Sequence, residues 1–246
     1  ACSLVGIAFS WEPNQGFFVY LPRDKKLRDE WLSRLAPFLQ SEKYTKVGQN
    51  LKFDIMVLRQ NGILVDGPIF DTMLAHYLID PESRHGMDYL SERYLNYKPI
   101  SIEELIGVKG NTQINMSQVA PEKVAQYAAE DADVTWQLYL LFRNEIKTRG
   151  FVKLLNEIEL PLVYVLADME TNGVRVDIAS LEEYGGELNT QLVKLDEEIK
   201  ALAGVSDLNI SSPKQLGYVL FDKLKLGAGA SASRSSKSKQ YSTKIG

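Results

Sequence analysis

Two aspartates in this 246-residue chain fall where a carboxylate is costly. Residues 51–60 have helical spacing, and with Leu51 at 0° the apolar Phe53, Val57, Leu58 and Ile55 spread over one arc. Asp54 falls at about 300°, inside that arc, with Asn50 beside it at about 260°. Lys52, Arg59 and Gln60 take the other side. Residues 121–148 repeat the pattern: Val124, Val134, Leu138, Tyr139, Leu141 and Phe142 mark an apolar arc. Of Glu130, Asp131 and Asp133, only Asp131 points into it. Tyr127 lies one turn before Asp131 on the same face, so the two can act on one ligand. A carboxylate on an apolar face must be hydrogen-bonded, ion-paired or bound to a cation. Pattern alone leaves these alternatives open. One cysteine, Cys2, and two histidines, His76 and His85, leave little for a soft or histidine-rich metal centre. Carboxylates suit hard ions such as Mg²⁺ or Mn²⁺, and a pair of such ions is a device for phosphodiester hydrolysis.

The rest of the composition narrows the setting. Hydrophobic residues at 45% and charged residues at 24% are those of a folded soluble protein rather than a disordered one. No apolar run is long enough to span a bilayer, no signal peptide is visible, and a single cysteine cannot form an internal disulfide. A reducing, cytoplasmic setting is expected, and the missing initiator Met leads us to expect that the chain starts inside a longer protein. The net charge of −4 is uneven, because residues 226–246 hold Arg234, Lys237, Lys239 and Lys244 and no acid. An acidic body argues against broad gripping of nucleic acid, but not against a site where metal ions offset the acids. The basic Ser/Gly-rich tail is the cheaper source of phosphate contacts, although by composition it reads as a solvated linker.

These side chains need elements to hold them. Ser3–Ser10 and Phe17–Leu21 read as a hairpin around Pro13–Gly16, followed by a helix over Leu27–Gln40 and a short strand at Tyr44–Val47. The helix at 51–60 stops at Asn61-Gly62, and Asp71 is placed to cap a helix through Leu78. Asp88–Leu95 is a further helix, 107–118 a polar loop, and Pro121 opens the long helix that ends before Gly150. Strands and helices, then helices alone, predict an α/β domain over 1–150 and an all-α segment over 151–246. In the second segment Pro161 predicts a kink or break, and Ser180 with Glu183 a capping box for an amphipathic helix to Ala203. Ser212-Pro213 opens the last helix.

Several stretches, taken together, resemble the family A DNA polymerases, the family of bacterial DNA polymerase I. Val47-Gly-Gln-Asn-Leu-Lys-Phe-Asp54 and Tyr127-Ala-Ala-Glu-Asp-Ala-Asp133 are similar to the family's second and third exonuclease motifs. Phe70–Leu78, Arg84–Leu90, Glu159–Leu162 and Met169–Asp177 fit the same family, and Asn209–Leu216 resembles the start of its DNA-contacting thumb. The resemblance covers about residues 3–225.

The resemblance implies an RNase H-like (DnaQ-like) proofreading domain followed by the start of an all-α thumb. It would remove 3′-terminal nucleotides with two divalent metals, Mg²⁺ or Mn²⁺. Asp131 would bind metal directly, Asp54 would hold the second ion, and Tyr127 would orient the attacking water. Gln49 and Asn50 would position the single-stranded 3′ end of DNA, and Arg84 a phosphate. Asn209, Ser212 and Lys214 would contact duplex. The remainder of a polymerase chain would be a further partner, and no membrane is involved. The family's first motif, Asp-x-Glu, is expected shortly before Ser3, and palm and fingers beyond the other end. Residues 227–239 are unusually Ser/Ala/Gly-rich for a thumb, and the pattern is lost after Thr243. The chain is thus expected to be a fragment that digests little by itself and tends to aggregate. Two alternatives stand beside the nuclease: a structural, DNA-docking module whose exonuclease site has lapsed, and an RNA-trimming exonuclease of the same superfamily.

Overall fold

Alternation of apolar residues builds the first two strands, β1 (Gly6–Glu12) and β2 (Gln15–Tyr20), which pair antiparallel. Asn14 makes the tight turn between them with a left-handed φ of 63°. The computed structural model describes residues 4–110, 113–226 and 241. Ser3, Cys2 and the tail cations Arg234, Lys237, Lys239 and Lys244 lie outside the described residues.

Helix α1 (Lys25–Leu39) is capped by Asp24 and buries Leu32 and Leu39 against Leu21 and Ile63. A parallel pair follows, β3 (Lys46–Gly48) with β4 (Ile69–Asp71), joined by the crossover helix α2 (Leu51–Gln60). Next come α3 (Thr72–Ile79), α4 (Met87–Leu90) running on as a π-helical turn to Leu95, and α5 (Ile102–Ile106). The long helix α6 (Pro121–Thr148) packs on both strand pairs. Its Val134, Leu138 and Phe142 meet Leu51, Ile55, Phe70 and Ala75 in the main core.

Beyond Gly150 the chain stays helical through α7 (Val152–Leu154), a π-helical turn at Leu155–Glu159, and α8 (Leu160–Asn172). Pro161 has no N–H for the carbonyl four residues back, and the wider turn just before it lets the helix run on instead of breaking. Helix α8 packs on α2, where Arg59 pairs with Asp168 and Lys52 Nζ meets Glu170 Oε1 at 2.5 Å.

The described residues divide into two compact units, one ending at Val174 and the next starting at Arg175. In the second, α9 (Ile178–Ala203) starts two residues before the expected Ser180. Its cap is Asp177, which accepts from the Ser180 N–H, rather than a Ser180/Glu183 box. Leu181, Leu188, Leu192 and Leu195 stay exposed along it. Ala203, Leu208 and Val219 form a small core with α10 (Pro213–Gly217), which continues as a π-helical turn to Lys223.

Candidate active site

The acid-rich turn of α6 assigns its carboxylates three different tasks. Glu130 accepts from the Ile100 N–H at 2.7 Å and the Tyr97 hydroxyl at 2.5 Å, which clamps the 97–100 segment. Asp133 accepts from the Asn14 N–H at 2.7 Å, which clamps the hairpin tip. Asp131, between them, keeps a buried Oδ1 without a hydrogen-bond partner. A buried carboxylate oxygen in that condition is expensive unless something binds it. Burial pushes the Asp131 carboxyl up to about 7; the Tyr127 hydroxyl, close by, opposes the rise, and the charges of Glu130 and Asp88 add to it. Burial, and then the charge of Asp131, push the Tyr127 phenol upward in turn. The structure thus brings Tyr127 and Asp131 together, as their spacing implies.

Asp54 differs from the sequence expectation. The packed face of α2 is Leu51 and Ile55, while Phe53 is 57% exposed. The apolar arc is therefore narrower than the sequence suggests, and Asp54 sits at its solvent edge instead of its centre. Helix α8 packs along α2 on the side of Lys52 and Arg59, which pair with its Glu170 and Asp168 and are partly buried there, while Phe53 stays exposed. Asp54 is open to water on one side with dense protein on the other. Burial on that side, with the charge of Asp71 beside it, pushes its carboxyl up to about 7.

Gln49 and Asn50 form the loop between β3 and α2. Asn50 is exposed with a left-handed φ of 63° and does not cap α2 with its own side chain. Gln49 is engaged at both ends of its amide: Thr72 Oγ1 meets its Oε1, and its Nε2 donates to the His85 carbonyl at 2.7 Å. That bond ties the loop to the segment carrying the exposed Arg84. His76 is fully buried behind it, with Nδ1 at 2.7 Å from His85 Nδ1 and Nε2 at 3.0 Å from the Tyr94 hydroxyl. Burial pushes its pKa down to about 4, so it is neutral and structural. In the second unit Asn209 and Lys214 are exposed, and Ser212 Oγ accepts from the Gln215 N–H at 3.4 Å as the cap of α10.

Among the described residues, no three His, Cys, Asp or Glu side chains converge as a metal-holding group. The donors present still fit hard cations as part of a set: Asp131 offers an unsatisfied oxygen and Asp54 a solvent-facing carboxylate.

A family model described as 3′-5′ exonuclease, that of the family A DNA polymerases, matches residues 2–147. The chain belongs to this family. It is 39% identical over 233 residues to DNA polymerase I of Pseudomonas aeruginosa, covering 91% of this chain and 25% of the relative. It is 39% identical over 213 residues to DNA polymerase I of Rhizobium leguminosarum, covering 86% of this chain and 20% of the relative. The chain thus spans a quarter or less of the length of these two relatives. A solved structure of the POL domain of Pol1 from M. smegmatis, in complex with DNA primer-template and dNTP, superposes with a TM-score of 0.68. That match has 26% identity and covers 93% of this chain and 35% of the other.

Within this family A chain, two acids beside the motif residues carry weight that spacing did not reveal. Asp71, expected only as a cap for α3, also faces Asp54 and the α2 start. Asp88 acts on both Asp131 and Tyr127. Both carry their influence across the fold rather than along a helix.

Proposed function

We propose that residues 1–150 are a metal-dependent 3′→5′ proofreading exonuclease domain of RNase H-like fold, and that 151–246 begin the thumb of a family A polymerase. The observation that carries this reading is the unpartnered Oδ1 of Asp131, left open while Glu130 and Asp133 are engaged by backbone N–H groups. In the reaction a water oxygen bonds to the terminal phosphorus and the P–O3′ bond breaks. The last nucleotide leaves as a 5′-monophosphate. When bound, a pair of Mg²⁺ or Mn²⁺ ions would assist water activation and offset charge on the leaving oxygen. Asp131 and Asp54 would hold them together with an Asp-x-Glu strand. Among the described residues β1 and β3 lie in separate two-stranded sheets and each has an edge with no strand on it, which suits such a strand.

The chain's own groups supply the positioning. Tyr127 keeps its proton at neutral pH, so its hydroxyl can both donate to and accept from a water held beside Asp131. Asn50, with its amide exposed, can hydrogen-bond the 3′-terminal nucleotide, and exposed Phe53 offers a ring to its base. Gln49 holds the loop to the Arg84 segment, from which Arg84 reaches a backbone phosphate. In the second unit the N-terminus of α10, with Lys214 and the preceding Asn209 and Ser212, would meet duplex phosphates. This reading goes with a cytoplasmic location and with the remainder of a polymerase chain as partner. It is tested by 3′-end removal from a labelled oligonucleotide with Asp54→Ala and Asp131→Ala in the full-length protein.

A lapsed, purely structural site is the second reading, favoured by the lack of a converging group of three ligands among the described residues. On that reading the wild-type full-length protein leaves the oligonucleotide intact in Mg²⁺ and Mn²⁺.

A further inference from the structure

We infer that Asp71 and Thr72 are positioning residues for the substrate loop, holding Gly48–Leu51 so that Asn50 faces a 3′ end. The inference rests on the exonuclease reading above. The α2 N-terminus is unusual. Asparagine at that position normally caps its own helix with its side chain, yet Asn50 makes no such bond and adopts a left-handed backbone.

The cap comes instead from a residue twenty positions away. Asp71, 2% exposed, accepts from the Leu51 N–H at 2.7 Å through Oδ2 and from the Asn50 N–H at 3.2 Å through Oδ1. The same Oδ1 accepts from Met73 and Leu74 at 2.9 and 3.3 Å, which caps α3. One carboxylate therefore serves two helix starts, and the Asn50 amide is released to the surface. Thr72, fully buried, completes the clamp: its hydroxyl lies 3.1 Å from the Gly48 carbonyl and meets Gln49 Oε1. Gln49 Nε2 then reaches the His85 carbonyl, so the clamp extends from β4 through the loop to the segment bearing Arg84. Register supports the same geometry, since Gly48 and Asp71 are Cα partners at the ends of β3 and β4.

A cap that merely stabilises α3 predicts that Asp71 and Thr72 variants change melting temperature only. A positioning role predicts a change in substrate binding by the folded protein. Thr72→Val keeps the shape and removes the hydroxyl; Thr72→Ser restores it. Asp71→Asn can keep one helix start, but turns an N–H₂ towards the other. In the full-length protein, Thr72→Val should raise KM for a single-stranded oligonucleotide roughly tenfold, with kcat within about twofold. Fluorescence anisotropy of a 5′-labelled oligonucleotide in EDTA should show a similar loss, and Thr72→Ser should recover both. Asp71→Asn should do at least as much; should it fail to fold, the Thr72 pair decides. A folded Thr72→Val protein with unchanged KM and anisotropy would overturn the inference. If Asp131→Ala digests DNA as well as wild type, the exonuclease reading fails instead, and the EDTA anisotropy still judges the clamp.

Discussion

The backbone N–H of Asn14 donates to Asp133 Oδ1 at 2.7 Å, so the tip of the β1–β2 hairpin is bonded to the helical turn that presents Asp131. Two residues further, Gly16 lies so near α6 that a Cβ there would be 2.1 Å from the Ala129 carbonyl oxygen. Hairpin and acid-bearing helix thus meet backbone to backbone.

Gly16→Ala should therefore be strongly destabilising. The obstacle is main chain and cannot rotate away, so the hairpin must lift from α6. We expect a loss of about 2–3 kcal/mol, seen as a lower midpoint in urea unfolding, with an unchanged midpoint contradicting the contact.

Glu130 and Asp133 should act on stability rather than chemistry. Asp133→Ala frees the Asn14 N–H at an exposed position and should cost about 1 kcal/mol, while 3′-end removal per folded molecule stays near wild type. Thermal unfolding paired with an activity assay checks this. A collapse of activity in folded Asp133→Ala would place the wrong acid at the site.

The pH dependence of stability follows from Asp131. Its carboxyl is raised from 3.8 to about 7, so the folded state holds the proton more tightly than the unfolded one. That contribution is complete below the unfolded pKa and is lost as pH rises through about 7. In metal-free protein, Asp131→Asn should stabilise relative to wild type by on the order of 1 kcal/mol more at pH 8 than at pH 5. Equal shifts at both pH values in thermal melts would contradict a buried carboxylate with one unpartnered oxygen. Saturating Mn²⁺ should reduce the difference by occupying the wild-type site.

Tyr127→Phe removes the hydroxyl beside Asp131 and leaves the ring packed. It should lower kcat by roughly tenfold or more with little change in KM, because in the proposed mechanism the hydroxyl orients water rather than the DNA. A steady-state comparison in the full-length protein measures this, and a pure KM effect would move Tyr127 from the water to the substrate.

Much of this was readable from spacing. The bounds of α2 at 51–60 follow from its period and from Asn61-Gly62, and Pro121 marks the start of α6. Asp131 could be placed because Val124, Val134, Leu138 and Phe142 surround it on one helix and are all buried. The exposure of Asp54 is not legible from its own helix, because α2 has a second neighbour, α8, whose Asp168 and Glu170 lie more than a hundred residues further on. The same limit hid the bonds from Glu130 to Tyr97 and Ile100, from Asp133 to Asn14, and from Asp71 to Leu51. Each joins segments that approach only in the folded chain. Helix α5 has five residues, too few to show a period, and is held by the Ser101 capping box.

The most direct test of the account is 3′-end removal from a 5′-labelled single-stranded oligonucleotide by the full-length protein in Mg²⁺ and Mn²⁺. Wild type should shorten the strand from its 3′ end. Asp131→Ala and Asp54→Ala should each slow it by at least about a hundredfold while melting as folded proteins. Either variant digesting at the wild-type rate would contradict the assignment of these two carboxylates.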